Sequence, residues 1–415
     1  MSVLLWVHVI GQRSACQIGT APDAPPRRHA IISSARTDMI TRVEASGYRC
    51  LREVSQELQP YQILVGPNGS GKSAFLDVIA FLGDVVSLGL KESVRNRTEN
   101  FHDLVWGRTE SSFRLAIEAT RPDVPEAGRI RYELTAKIDA NDDEIVIASE
   151  RLTVCDAAGK PLPVITRNGK QVSFSAEAAG AEKFAFELHP NFSSLTMQRT
   201  EFPSVAWLKS LLQDGVRTVA LDNRLLRAPS PPGAGRAAVY DGSNLARLVA
   251  QVQDSSPDSF KAWVGHVRTA IADIVDIRTV SRPEDKHRYL MVHYAGGVEV
   301  PQWMVSDGTL RLLALTLLAY LPGVQGVYLV EEPEVGVHPT AIETIIQSLS
   351  SVYEGQVLIA SHSPIVLSMP RPDQLLCFQK TQDATTILPG NEHPLLKQWK
   401  SGVNLSDLFA AGVLG

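Results

Sequence analysis

The chain has 415 residues, 44% of them hydrophobic and 20% charged, with a formal net charge of −5. Such a composition excludes a disordered or collagen-like chain. It also provides no overall positive field to draw the protein to nucleic acid or an acidic membrane, so only local basic patches could do that. The length suits one large domain or two smaller ones. Four scattered cysteines, Cys16, Cys50, Cys155 and Cys377, form no C-x-x-C pair, which favours reduced thiols over a disulfide frame or a zinc site. The longest apolar runs, 3–10 and 312–321, fall short of the ~20 residues needed to cross a bilayer.

In chain order, residues 1–38 mix a short apolar run with Pro, Arg, Ser and Ala, and are expected to be a flexible N-terminal extension. The folded domain is expected to begin near Met39, with a strand, a turn at Gly47 and a second strand. An apolar run, 61–65, then leads into Gly66-Pro67-Asn68-Gly69-Ser70-Gly71-Lys72-Ser73, and 74–82 follows with helical composition. This is G-x-x-x-x-G-K-S between a strand and a helix, the phosphate-binding P-loop in its required setting. Glycines let the backbone close on phosphate oxygens, and free amides at the helix start favour an anion. In such a loop Lys72 reaches the β- and γ-phosphates of ATP, and the Ser73 hydroxyl completes a Mg2+ shell. A secreted protein would find no ATP, so a cytoplasmic location is expected.

A polar, basic stretch follows at 91–108. Runs at 113–119, 131–138, 144–154 and 164–174, separated by Gly and Asn-Gly turns, read as a β-meander. Residues 222–232, ending in Pro-Ser-Pro-Pro-Gly, read as a loop and a candidate hinge. The region 244–274 reads as helical, with Leu245, Leu248, Val249 and Val252 at i, i+3, i+4 and i+7. Residues 288–294 and 298–301 read as a hairpin turning at Gly296-Gly297.

The C-terminal third supplies the rest of a site. Val327-Tyr328-Leu329-Val330-Glu331-Glu332 is an apolar strand ending in two carboxylates. In a P-loop fold one such carboxylate orients the metal's water shell and the next accepts a proton from attacking water. Glu331 is assigned to the metal and Glu332 to the water, although an isolated acidic pair is commonly just a solvated strand end. A second strand, 356–360, runs into Ser361-His362-Ser363-Pro364, placing His362 where α/β sheets bind ligands. Ser306-Asp307-Gly308-Thr309 leads into a helix at 310–321 and offers a hydroxyl and free amides. On its own this turn is an ordinary N-cap.

Taken in this order, the elements resemble the ABC-class ATPase heads: Walker A, a signature-like Ser306 turn, Walker B with Glu331 and Glu332, and a switch His362. The wording Glu331-Glu332-Pro333-Glu334-Val335-Gly336-Val337-His338-Pro339, then Ser361-His362-Ser363-Pro364, is similar to the AAA-labelled, ABC-type ATPases related to RecF, the SMC proteins and the OLD family. The opening from Arg42 through Gly47-Tyr48-Arg49-Cys50-Leu51 is similar too. The resemblance covers 39–415, most closely at 39–82 and 300–370. It implies an α/β P-loop NTPase fold, an ABC-ATPase head with a mixed β lobe and a helical insertion. The expected lobes are 39–225 and 300–415, with the insertion and a signature-side hairpin at 226–299. Three departures stand out. The signature turn is not L-S-G-G-Q, Glu331 stands where many relatives carry Asp, and the only candidate for the Q-loop glutamine is Gln198.

The resemblance further implies ATP hydrolysis with Mg2+ and a head-to-head homodimer on ATP. It also implies control of a separately encoded effector, a nuclease or toxin, in anti-phage defence. Alternatives are a RecF-like repair factor that binds DNA directly and a slow-turnover scaffold. The insertion is too large for a transporter subunit and holds no heptads for SMC arms. No segment suits a Toprim nuclease. The apolar tail 405–409 is suited to packing on the head or docking a partner.

Overall fold

The structure is a computed structural model. It describes residues 39–397 except 122–128, 140–142, 156–158, 176–183, 198–200, 234–239, 368 and 382–383. The chain divides into two units, 1–35 and 36–415. The expected extension at 1–38, the Q-loop candidate Gln198 and the tail 405–409 lie outside the described residues.

Strands β1 (Met39–Tyr48) and β2 (Leu51–Glu57) form a hairpin, and β3 (Tyr61–Val65) runs into helix α1 (Lys72–Leu88). Helix α2 (Leu90–Arg95) follows. The turn of the first hairpin is at Arg49-Cys50, with Arg49 at φ 51°, and Tyr48 pairs with Leu51. The expected turn at Gly47 is thus two residues early. Gly47 does have φ 72°, but it lies within β1, where its backbone passes the strand that begins at Ser112. The meander is β4 (Ser112–Thr120), β5 (Arg129–Ile138), β6 (Ile145–Cys155), β7 (Pro161–Asn168), β8 (Gln171–Phe174) and β9 (Phe184–Glu187). With the first hairpin it makes one eight-stranded sheet, β2-β1-β4-β5-β6-β7-β8-β9, antiparallel throughout.

Beyond it come α3 (Pro203–Ser210), β10 (Val216–Val219), α4 (Asn223–Arg227), α5 (Leu245–Ser255) and α6 (Pro257–Ala270). Residues expected to form a loop at 222–232 therefore begin with a short helix, capped by Asp222 through the Arg224 amide. The helical region breaks at Ser256 and ends before Ile274, which opens strand β11 (Ile274–Ser281). With β12 (Arg288–Tyr294) and β13 (Val298–Pro301) it forms a three-stranded sheet. Helix α7 (Asp307–Leu317), starting three residues earlier than expected, leads to β14 (Val327–Glu331). Then α8 (Pro339–Ser350), β15 (Gln356–Ser361), β16 (Leu375–Thr381) and β17 (Ala384–Pro389) complete the fold.

The second large sheet has the order β10-β14-β15-β3-β16-β17. All its pairings are parallel except β16–β17. Its central strands are apolar on both faces, as a covered parallel sheet requires. Leu64, Leu329 and Leu358 face one core with α1 and the antiparallel sheet. Ile63, Val65, Tyr328, Val330, Val357 and Ile359 face the other, with α5 to α8. Gln356, buried at the start of β15, joins the two sheets. Its Oε1 accepts from the Ile40 amide at 3.0 Å, and its Nε2 donates to the Ile40 carbonyl at 2.8 Å and the Gln59 carbonyl at 3.0 Å.

Because β3, β14 and β15 are parallel neighbours, their C-terminal ends share one edge. Ser361 is level with Val65, and Glu331 with Ala360. This brings residues far apart in sequence to one place.

Candidate active site

The loop 66–73 connects β3 to α1. Gly66, Gly69 and Gly71 have φ of 154°, 76° and 103°. At Gly66 a Cβ would stand 2.3 Å from the Phe378 carbonyl oxygen, and at Gly71 2.5 Å from Thr385 Oγ1. The loop is therefore tied down from β16 and β17: Thr385 Oγ1 donates to the Ser70 carbonyl at 2.9 Å. No side chain caps α1 at Gly71, so its first amides are left for an anion. Lys72 is buried and folds back over the loop, donating from Nζ to the carbonyls of Gly66 at 2.7 Å and Pro67 at 3.0 Å. Burial pulls its pKa below the usual lysine value, and the carboxylates of Glu332, Glu334 and Glu331 oppose that shift.

Ser73 Oγ donates to Glu331 Oε2 at 2.5 Å. A hydroxyl and a carboxylate oxygen thus meet beside the loop, a hard-donor pair that fits Mg2+. Among the described residues no cluster of three or more His, Cys, Asp or Glu could hold a metal. Mg2+ is commonly held by one or two protein oxygens with phosphates and water. Glu332 follows β14 with φ 45°, uncommon for a non-glycine residue. Its amide donates to the Ala360 carbonyl at 2.8 Å, and its Oε1 lies 3.1 Å from His362 Nδ1. Both side chains are half exposed to solvent.

Glu334 was not singled out as a site residue from the sequence. Its Oε1 accepts from Ser361 Oγ at 2.6 Å, and the His362 amide approaches it at 3.4 Å. A polar pair flanking both halves of the motif was the available signal, but only the strand order shows that the two meet. Arg49, Arg97 and Arg108 were also not singled out. With Cys50 they line a cleft of about 650 Å³ beside the loop, where a Cβ on Gly71 would lie 3.1 Å from Cys50 Sγ. Each is ion-paired, Arg49 and Arg97 with Asp77 and Arg108 with Asp103.

The Ser306 turn is set apart. Ser306 Oγ accepts from the Thr309 amide at 3.2 Å and donates to Thr309 Oγ1 at 2.8 Å. Asp307 pairs with Arg227 of α4 at 2.7 Å, and Arg227 also donates to the Trp303 carbonyl. A Cβ on Gly308 would stand 2.7 Å from the Gly336 carbonyl oxygen, so the turn packs on the segment following Glu332. Among the described residues no hydrogen bond or ion pair joins 306–309 to 66–73.

A family model described as "AAA domain, putative AbiEii toxin, Type IV TA system" matches residues 63–368, most of the chain. The chain belongs to this family. The match spans the loop, both carboxylates, the Ser306 turn and His362, and it supports an ATPase of the AAA/ABC-like P-loop class. No curated protein matches the chain. Among solved structures it is similar to an Smc head bound to the C-winged helix domain of ScpA. That match has 14% identity, a TM-score of 0.54, and covers 84% of this chain and 96% of that one. It is also similar to a Pyrococcus furiosus Smc head with an extended coiled coil, bound to the C-terminal domain of ScpA. Here identity is 14%, the TM-score 0.50 and coverage 85% and 96%. At this identity the likeness establishes the fold, that of an ABC-class ATPase head. Among the described residues no helix is long and apolar enough to cross a membrane.

Proposed function

We propose that the protein binds and hydrolyses ATP with Mg2+, dimerises on ATP and controls a separately encoded effector, a nuclease or toxin, in anti-phage defence. The observation that supports hydrolysis is the convergence of three chain segments on one sheet edge. There Ser73 meets Glu331, and Glu332 meets His362. In this reading the loop amides and Lys72 hold the phosphates. Ser73 and Glu331 would hold Mg2+, which neutralises charge on the phosphates. Glu332 orients the attacking water and takes its proton, and His362, beside the Glu332 carboxylate, hydrogen-bonds the γ-phosphate or the water itself.

For a role in defence, the support is the family description, "putative AbiEii toxin, Type IV TA system"; for a protein partner, it is the ScpA-bound Smc heads among the structural neighbours. The net charge of −5 gives the DNA-repair alternative no added support. Nucleotide binding and turnover measured on wild type, Lys72→Ala and Glu332→Gln test the core of this reading. Lys72→Ala is expected to lose ATP binding. Glu332→Gln is expected to keep ATP bound and lose turnover by about 10²–10⁴-fold. Wild-type affinity in a folded Lys72→Ala protein would overturn the loop assignment. Co-purification with the product of a neighbouring gene tests the effector.

A further inference from the structure

The segment after Glu332 and the segment after β15 are held together by one side chain. Glu334 Oε1 takes the Ser361 hydroxyl at 2.6 Å, and the His362 amide lies 3.4 Å from the same oxygen. Ser361 is fully buried, and its Oγ also accepts from the Ser363 amide at 3.0 Å. The Ser361 hydroxyl thus pins both sides of His362. In the turn after β14, the Glu334 carbonyl accepts from the Val337 amide, and the Glu332 carbonyl from the Val335 amide. Glu334 is therefore fixed to the same turn that fixes Glu332.

The second carboxylate oxygen, Oε2, is buried with no protein donor. An acceptor left in this way lowers stability rather than raising it. A glutamate kept only to hold the fold together would not be expected in such a position. Its other oxygen is bound to Ser361 and lies 3.4 Å from the amide of His362, the residue whose side chain approaches Glu332 at 3.1 Å.

We infer that Glu334 is a positioning residue. Through Ser361 it sets the register of the His362 segment against the Glu332 turn, so that the His362 imidazole faces the Glu332 carboxylate. The inference deepens the proposed hydrolytic reading and rests on it for its kinetic consequence, but the geometric claim stands apart. The chemistry predicts a pattern among variants. Glutamine keeps an acceptor oxygen for the Ser361 hydroxyl and brings an amide to the Oε2 position. Alanine removes the acceptor. Ser361→Ala removes the donor from the other side.

The test uses the full chain carrying Glu334→Ala, Ser361→Ala, Glu334→Gln and the Glu334→Ala/Ser361→Ala double substitution. Steady-state ATP hydrolysis, ATP affinity, and the 13C-histidine NMR signal of His362 are read on each, the signal being assigned by its loss in His362→Asn. Expected are a fall in kcat of between about 10- and 100-fold for Glu334→Ala and Ser361→Ala, the range seen when a supporting contact is removed. ATP affinity should stay within about twofold. The double variant should be no worse than either single one, since both remove the same contact. Glu334→Gln should restore most of kcat. The His362 signal should move toward that of a free side chain in both alanine variants and return in Glu334→Gln.

Three results would overturn the inference. One is a Glu334→Ala protein with wild-type kcat and an unmoved His362 signal. Another is a loss of ATP affinity as large as the loss of kcat, which would make Glu334 a binding charge. The third is a Glu334→Gln protein as impaired as Glu334→Ala. The NMR arm needs no turnover. A wild type that binds ATP without hydrolysing it would sink the hydrolytic reading, while the His362 signal still decides the role of Glu334.

Discussion

At the scale of single residues, the acidic turn gives up stability for position. Glu332 is held at φ 45° immediately before Pro333, where a non-glycine residue is strained. Asparagine tolerates that backbone region better than glutamate does. Glu332→Asn is therefore expected to raise stability by about 0.5–1 kcal/mol while stopping turnover, a separation that thermal unfolding and an ATPase assay would show together. An unchanged or lower melting temperature would mean the strain is relieved elsewhere. The loop glycines behave in the opposite way. Gly71 combines φ 103° with contacts from Thr385 and Cys50. Gly71→Ala is expected to cost about 1–3 kcal/mol and to weaken nucleotide binding, as measured by denaturant unfolding and titration. The loop was legible in the sequence because its glycines recur at fixed spacing. Glu334 was not, because it lies in the turn after β14 while its partner Ser361 ends β15, and only the fold brings them within 2.6 Å.

At the scale of elements, segments with an apolar pattern were readable and those without one were not. The strands leading to the loop, to Glu331 and to Ser361 were each expected from apolar runs, and each is present. Helix α4 was missed because five residues beside a Pro- and Gly-rich stretch carry no periodicity; Asp222 as its cap was the one available sign. This small helix nevertheless holds the Ser306 turn. Gln302, fully buried, donates to the carbonyls of Leu226 and Ala228 and accepts from the Leu290 amide. Gln302→Ala leaves those backbone groups without partners and is expected to cost about 1–3 kcal/mol, read by chemical denaturation. The helical layer also carries an acid sensitivity. His266 on α6 is held below its usual pKa by burial, the nearby Gln347 side chain opposing, and its Nδ1 meets the Tyr320 hydroxyl at 3.1 Å. A histidine depressed in the folded state contributes stability that is fully present above its unfolded value of 6.5. That contribution is lost as pH falls from there through the folded pKa. His266→Asn is expected to flatten the decline in melting temperature below pH 6.5; an unaltered pH profile would assign the decline to other groups.

At the scale of the whole molecule, the separation of the Ser306 turn from the loop of its own chain suits a two-fold dimer in which each turn covers the partner's loop. In that proposed dimer, ATP is expected to tighten the pair, and the pair to tighten ATP by the same factor. Lys72→Ala and Ser306→Arg proteins are each expected to be inactive alone. Mixed, they can form one site from an intact loop and an intact turn, and partial recovery of ATPase activity is expected. Absence of recovery from two folded, associating variants would remove the in-trans role of Ser306. The division into an antiparallel sheet, a parallel sheet and a helical layer was expected only in outline. Sheet order depends on contacts between distant segments that no local pattern records.

The central place of β3, between β15 and β16, has a consequence for how the protein is made. The loop is synthesised before both neighbours of its strand and before the Thr385 that holds the Ser70 carbonyl. Until those segments follow, a nascent chain carries the phosphate loop without the walls that shape it. Nucleotide is therefore not expected to guide folding before residue 356 is made, and a chain stalled there is expected not to bind ATP. Truncated chains ending at 300 and at 397, compared for retention on immobilised ATP, would show this: the longer should bind and the shorter should not.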